Sequence, residues 1–224
     1  LPQTFKILVN GETGSGKTYF IGGFPKVAYF GTEPNGLDTL RSHPHLLKNL
    51  VLPEEFIPSP SEDIKQVFER MEKSLKVAHE KGKAGEVQTL ALDNLTFLAQ
   101  NRWLYINQYE KQYGRSGELD TRGMYGSLGT WLYRFILIYF CSFPGHVIVT
   151  CHEQREDDEA LADKVDPSTP IVPNILGSFR NKVGGLFSAN LFLGVKKETK
   201  DGKYHYYARC LKGDQRSAKN RYGL

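Results

Sequence analysis

The chain has 224 residues, 40% apolar and 24% charged, with 29 basic side chains against 25 acidic ones and three cysteines. A chain of that length buries roughly 70% of its unfolded surface, so residues 1–224 can form a single domain without a disulfide or metal staple. Cys141, Cys151 and Cys210 are odd in number and lack C-x-x-C spacing, which argues against a disulfide framework or zinc ribbon and makes a reducing, cytoplasmic setting the default expectation. The longest apolar stretch, Trp131 to Cys141, falls short of the ~18 residues of a spanning helix and is broken by Arg134. The net charge of +4 is unevenly spread: from Lys196 onward nine basic residues face three acidic ones, so 196–224 is a basic segment on a faintly acidic body.

In chain order, Phe5 to Val9 is a short β-rich run ending at Asn10-Gly11. Next comes Gly11-Glu12-Thr13-Gly14-Ser15-Gly16-Lys17-Thr18, followed by the apolar start of a helix at Tyr19, Phe20 and Ile21. Lys26 to Phe30 is a second strand, closing at Gly31-Thr32-Glu33. Glu62 to Glu80 reads as a helix, because Ile64, Val67, Phe68, Met71, Leu75 and Ala78 recur at three- and four-residue spacing. Val87 to Leu92, His146 to Thr150 and Ala189 to Val195 read as strands, and Asn94 to about Tyr113 and Ser127 to Phe143 as helices. Lys203 to Leu211, after the turn-forming Asp201-Gly202, is one arm of a terminal hairpin. Near-continuous apolar strands suit burial on both faces, and their alternation with helices is the βαβ pattern. The expected fold class is therefore α/β: a mostly parallel sheet flanked by helices, with a C-terminal β-hairpin. Gly114 to Gly129 and Glu153 to Pro173 fit neither period and are read as mobile loops.

Residues 11–18 match G-x-x-x-x-G-K-[ST] in full, between a strand and a helix. In such a loop the glycines let backbone N–H groups turn toward phosphate oxygens, the lysine adds a mobile charge, and the hydroxyl after it, here Thr18, is placed for Mg²⁺. Tyr19 extends the binding segment. A second carboxylate is needed at the end of a neighbouring strand, and Thr89-Leu-Ala-Leu-Asp93 supplies one. An Asp there also suits a helix N-cap, and both roles are open. Glu33 lies where a carboxylate reaches a terminal phosphate from the side; its plain alternative is a solvated turn acid.

Together the loop, Glu33, Asp93-Asn94, Val147-Ile-Val-Thr-Cys-His152-Glu153, Pro173 to Gly177 and the final Ala218 to Gly223 resemble the RecA-like P-loop ATPases. Among these the chain is most similar to compact phage-encoded nucleotide-binding proteins of single-strand annealing and recombination. The resemblance implies ATP and Mg²⁺ as ligands, Glu33 as catalytic base beside Lys17, Thr18 and Asp93 on the metal, and His152 as the group that senses the γ-phosphate. It also implies a homo-oligomer, ring or filament, in which Lys212, Lys219 or Arg221 reaches a neighbour's nucleotide; a solvated basic tail is the alternative. Single-stranded DNA would lie on the two loop regions, with Arg115, Arg122, Arg180 and Lys182 as phosphate contacts and aromatic residues as stacking surfaces. A single-strand-binding or other recombination protein is an implied partner. Between Glu153 and Asp166, however, seven acids face two bases, a poor surface for phosphate. Two other readings stay open: a nucleotide-dependent adaptor or loader that hydrolyses little, and a small-molecule kinase with a lid at 153–173.

Overall fold

The computed structural model describes residues 4–155, 171–197, 204–210 and 219–221. Its elements are β1 (Lys6–Gly11), α1 (Lys17–Gly22), β2 (Val27–Gly31), α2 (Gly36–Arg41), α3 (Pro44–Leu47), β3 (Leu50–Glu55), α4 (Ile64–Lys83), β4 (Thr89–Asp93) and α5 (Leu95–Tyr109). Then follow α6 (Thr121–Phe135), β5 (His146–Cys151), β6 (Glu153–Arg155), β7 (Ile171–Pro173), β8 (Ala189–Lys197), β9 (Tyr204–Arg209) and β10 (Lys219–Asn220). One sheet runs in the order β10-β8-β1-β5-β4-β2-β3, with β9 also paired to β8. From β8 to β3 every neighbour is parallel; β9 and β10 share the outer edge of β8 and run antiparallel to it. This is the helix-flanked, mostly parallel sheet and terminal hairpin that the strand pattern predicts.

Side chains on a strand alternate between faces, and here each face has its own apolar layer. Leu8, Phe30, Leu92 and Val149 point into the layer built by α4, α5 and α6. Their neighbours Val9, Tyr29, Ala91 and Ile148 join Ile21, Leu37, Leu40 and Leu46 of α1, α2 and α3 on the other side. Apolar residues at every position of these strands are thus explained by two-sided burial. Helix α4 buries all six residues of its predicted stripe, each large one contributing roughly 1.5–3 kcal/mol. It starts on a capping box, Asp63 accepting from Lys65 N–H while Gln66 reaches back to the Asp63 N–H.

Several expectations are corrected. The loop predicted over 114–129 ends early: α6 begins at Thr121, where Asp120 caps it by accepting from Gly123 N–H at 2.9 Å. Its three glycines lower helix propensity, but Met124, Leu128, Leu132 and Phe135 face the core and tertiary burial outweighs that cost. The helix then passes into a π-helical turn, Ile136–Cys141. Helix α5 stops at Tyr109, four residues before the predicted end. The predicted loop 153–173 has paired ends, β6 against β7, and its interior, 156–170, lies outside the described residues. After it, residues 178–186, which carry Arg180 and Lys182, form a pair of 3-10 turns, Ser178–Asn181 and Val183–Leu186. Strand β3, absent from the sequence reading, forms the sheet edge; Pro53 is tolerated there because an edge strand need not donate on both sides. Among the described residues no helix is long and apolar enough to cross a membrane.

Candidate nucleotide site

Parallel pairing brings the carboxyl ends of β1, β2, β4 and β5 to one edge of the sheet, where ligands of open α/β folds bind. The register sets the heights: Gly31 lies opposite Asp93, Leu92 opposite Val149, and Asn10 opposite Cys151. Gly11 opens the phosphate loop and has no room for a side chain, since a Cβ would stand 2.4 Å from Ser15 Oγ and 2.6 Å from the Leu193 carbonyl oxygen. Gly14 and Gly16 turn the loop at φ of 79° and 89°, a region that favours glycine. The Lys17 ammonium folds back over the loop, donating to the carbonyls of Gly11 at 2.9 Å and Glu12 at 2.8 Å and lying 3.3 Å from His152 Nδ1. Burial draws the Lys17 pKa below its ordinary value, opposed by the negative charges of Asp93 and Glu33.

Asp93 is fully buried. Thr18 Oγ1 donates to its Oδ2 at 2.6 Å, Tyr29 OH to the same oxygen at 3.0 Å, and Thr150 Oγ1 to Oδ1 at 2.5 Å. Burial first, then the adjacent Asp93 charge, push the Tyr29 phenol far up, so it remains a donor at any working pH. The helix N-cap role weighed for Asp93 belongs to the next residue: Asn94 Oδ1 accepts from Phe97 N–H at 3.0 Å to start α5. Thr18 and Asp93 form an adjacent neutral and anionic pair of hard oxygen donors, the chemistry that suits Mg²⁺. Cys151, buried at the end of β5 with its thiol pushed up to about 12 by desolvation, brings no nucleophile to the site.

Glu33 and His152 meet over this floor. The backbone of the β2–α2 loop is tied to β4, with Thr32 N–H donating to the Asp93 carbonyl at 2.7 Å. Glu33 Oε2 lies 3.3 Å from His152 Nε2 and accepts from Asn94 Nδ2. Burial alone would raise the Glu33 pKa, but the His152 and Asn94 hydrogen bonds and the Lys17 charge together hold it below the ordinary carboxylate value. The His152 ring packs edge-on against Phe97, and its backbone N–H donates to Thr96 Oγ1 at 3.0 Å.

A cleft of about 720 Å³ opens above, lined by Thr13 to Phe20, Glu33 to Gly36, His43, His152 and, from the opposite wall, Tyr206 and Tyr207 of β9. A Cβ on Gly16 would lie 3.3 Å from the Tyr206 ring, so the hairpin sits directly over the loop. Tyr19 forms the outer rim, its hydroxyl 3.4 Å from His45 Nε2. The residues predicted for phosphate, metal and catalysis thus converge in one place. Tyr29, Asn94, Thr150 and Tyr206 were not singled out for the site; a polar residue closing each apolar strand was the available signal for Asn94 and Thr150.

The other predicted residues lie apart from the cleft. Arg115 is exposed in the α5–α6 loop, and Arg122 is exposed in the first turn of α6. Arg180 is half-buried and Lys182 exposed in the 3-10 turns, which pack on α6: a Cβ on Gly177 would lie 3.6 Å from Tyr125, and one on Gly129 3.9 Å from Phe179. Lys219 pairs with Asn190 at the level of Leu8, about 10 Å along the strands below Gly11. Arg221 is exposed, with its N–H on the Ser188 carbonyl, and Lys212 lies outside the described residues.

A family model described as AAA domain matches residues 3–222. No curated protein matches the sequence. Among solved structures, a prototypical ATPase from the type III secretion system of pathogenic bacteria superposes with a TM-score of 0.51 at 13% identity, over 85% of this chain and 51% of that one. This chain therefore spans about half the length of that ATPase, and the likeness at this identity is one of RecA-like fold. A KaiC-like protein from the hyperthermophilic archaeon Pyrococcus horikoshii gives 0.44 at 14% identity, over 93% of this chain and 80% of that one. Because the family match runs through every strand that carries a residue of the phosphate site, the chain belongs to the AAA domain family, with residues 11–18 as its P-loop.

Proposed function

We propose that this protein is an ATPase that hydrolyses ATP with Mg²⁺ at residues 11–18 and couples the cycle to single-stranded DNA, in strand annealing or recombination of the phage type. The supporting observation is a continuous connection between the two regions. The carbonyl of His152, whose ring touches Glu33 and Lys17, accepts from Asn174 N–H at 2.7 Å. The chain then passes through Gly177 and Phe179, which pack on α6 where Arg122 and Tyr125 sit. A shift of His152 on meeting a γ-phosphate is thereby transmitted to the basic and aromatic surface.

In the chemical step Glu33 accepts a proton from the attacking water. Lys17 leaves the Gly11 and Glu12 carbonyls for the β- and γ-phosphates, and His152 donates to the terminal phosphate. Thr18 and Asp93 would hold Mg²⁺, which when bound neutralises charge shared by the β- and γ-phosphates. Lys219 and Arg221 sit away from their own loop, which favours a role on the next subunit's γ-phosphate in a homo-oligomer.

Phosphate release by purified protein, with and without a short single-stranded oligonucleotide, tests the reading. Glu33→Gln is expected to lower kcat by about 10²–10⁴-fold while ATP still binds. If Arg115, Arg122, Arg180 and Lys182 each meet one phosphate, oligonucleotide affinity falls with salt at a log–log slope of about −3. Absence of oligonucleotide binding at low ionic strength would reject the DNA role and favour the adaptor. Size distribution with a non-hydrolysable ATP analogue, with and without the oligonucleotide, reports the assembly.

A further inference from the structure

Asn94 is fully buried at the centre of the site, and both ends of its amide are in use. Its Oδ1 accepts from Phe97 N–H at 3.0 Å; its Nδ2 donates to Glu33 Oε2 and lies 3.1 Å from His152 Nε2. The backbone is fixed as firmly, with the Asn94 N–H donating to Thr32 Oγ1 at 3.0 Å and the Thr32 hydroxyl donating to the Asn94 carbonyl at 2.5 Å.

Counting donors and acceptors selects one arrangement. An ammonium only donates, so His152 Nδ1, beside Lys17 Nζ, accepts. The imidazole proton is then on Nε2 and is directed at Glu33 Oε2. Reversing the Asn94 amide would set its oxygen against the Glu33 carboxylate and its NH₂ against the Phe97 N–H, so the orientation is determined as well. Two donors converge on Oε2, and among the described residues none reaches Oε1.

The two donors differ in permanence. His152 is held on its far side by Lys17, the group that a triphosphate draws away. Asn94 is locked by the cap of α5 and by Thr32 and keeps its place whatever occupies the loop. Building on the reading of Glu33 as catalytic base, we propose that Asn94 is the positioning residue that holds Oε2 throughout the cycle, so that Oε1 is the oxygen presented to the attacking water. A misplacement of the reacting group by about 1 Å costs on the order of 10²-fold in rate, which sets the size of the expected effect.

Asn94→Ser keeps an N-cap acceptor for α5 but removes the donor to Glu33, and Asn94→Asp keeps the cap while placing a repelling carboxylate there. For both, kcat is expected to fall by roughly 30–100-fold while KM for ATP and Kd for ADP stay within about twofold. In a Glu33→Gln background Asn94→Ser should cost nothing further, whereas a residue that merely supports the fold would impose its loss again. Near-normal kcat in both Asn94 variants, beside an inactive Glu33→Gln, would overturn the positioning role alone. Full turnover by Glu33→Gln would instead overturn the base assignment, and the positioning role with it. If Asn94→Ser melts well below the parent, Asn94→Asp decides.

Discussion

The two walls of the nucleotide cleft are built on opposite plans. On one side Asp93, Asn94, Thr96 and Thr150 are all buried, and the Asp93 carboxylate is held by hydroxyls from three other elements. On the other side every residue of β9 is exposed, although its backbone pairs with β8 along its whole length. Fixed dipoles in a dry site stabilise developing charge without reorganising, which is what the proposed phosphoryl transfer asks of the first wall. A strand with no buried side chains has little local stability, which lets the second wall adjust to what lies in the cleft.

The contrast is most strongly tested at Lys17. Lys17→Ala removes a charged donor from the rigid wall and is expected to weaken ADP binding on the order of 100-fold, or about 2–3 kcal/mol by calorimetry. Next, Thr150→Val leaves Asp93 Oδ1 without its buried donor and should lower stability by about 1.5–3 kcal/mol, read as a Tm drop of roughly 3–12 °C. A matched glycine pair separates the walls directly. In Gly11→Ala the new methyl meets the Leu193 carbonyl, which cannot move aside, at an expected cost of about 1–3 kcal/mol in a denaturant melt. In Gly194→Ala it meets the Tyr207 ring, an exposed side chain that can swing away, so the cost should stay below about 0.5 kcal/mol. Equal losses in the two variants would break the comparison.

Two smaller effects sharpen it. Glu33 is held below its ordinary 4.5, so its contribution to stability is present at neutral pH and is lost as pH falls below that value. Glu33→Gln should flatten this acid limb of the stability profile, measured by urea melts. Tyr206→Ala should leave stability within about 0.5 kcal/mol and kcat unchanged, while KM for ATP moves by a few-fold.

What could be read from the residues followed from how local each feature is. The phosphate loop and the α4 stripe depend on spacings within a few turns of chain, and both fold as their patterns predict. The first turns of helix α6, residues 121–126, were hidden by Gly123 and Gly126, because stability there comes from burying Met124 and not from propensity. Strand β3 was hidden by Pro53, which is acceptable only at an edge, and edges are defined by the finished sheet. Tyr29 was hidden in an apolar strand, where an aromatic ring is ordinary core. Its hydroxyl acquires meaning only when β4 pairs alongside and brings Asp93 within 3.0 Å.

The sequence by itself therefore determined the nucleotide loop, the βαβ alternation, the acids Glu33 and Asp93 at strand ends and the charge difference between body and tail, since each is written in contiguous residues. Only the tertiary structure decided which hydroxyls hold Asp93, which oxygen of Glu33 is taken, and that Tyr206 covers Gly16. Those choices depend on the register between strands far apart in the chain, and register is set by the fit of two apolar layers at once.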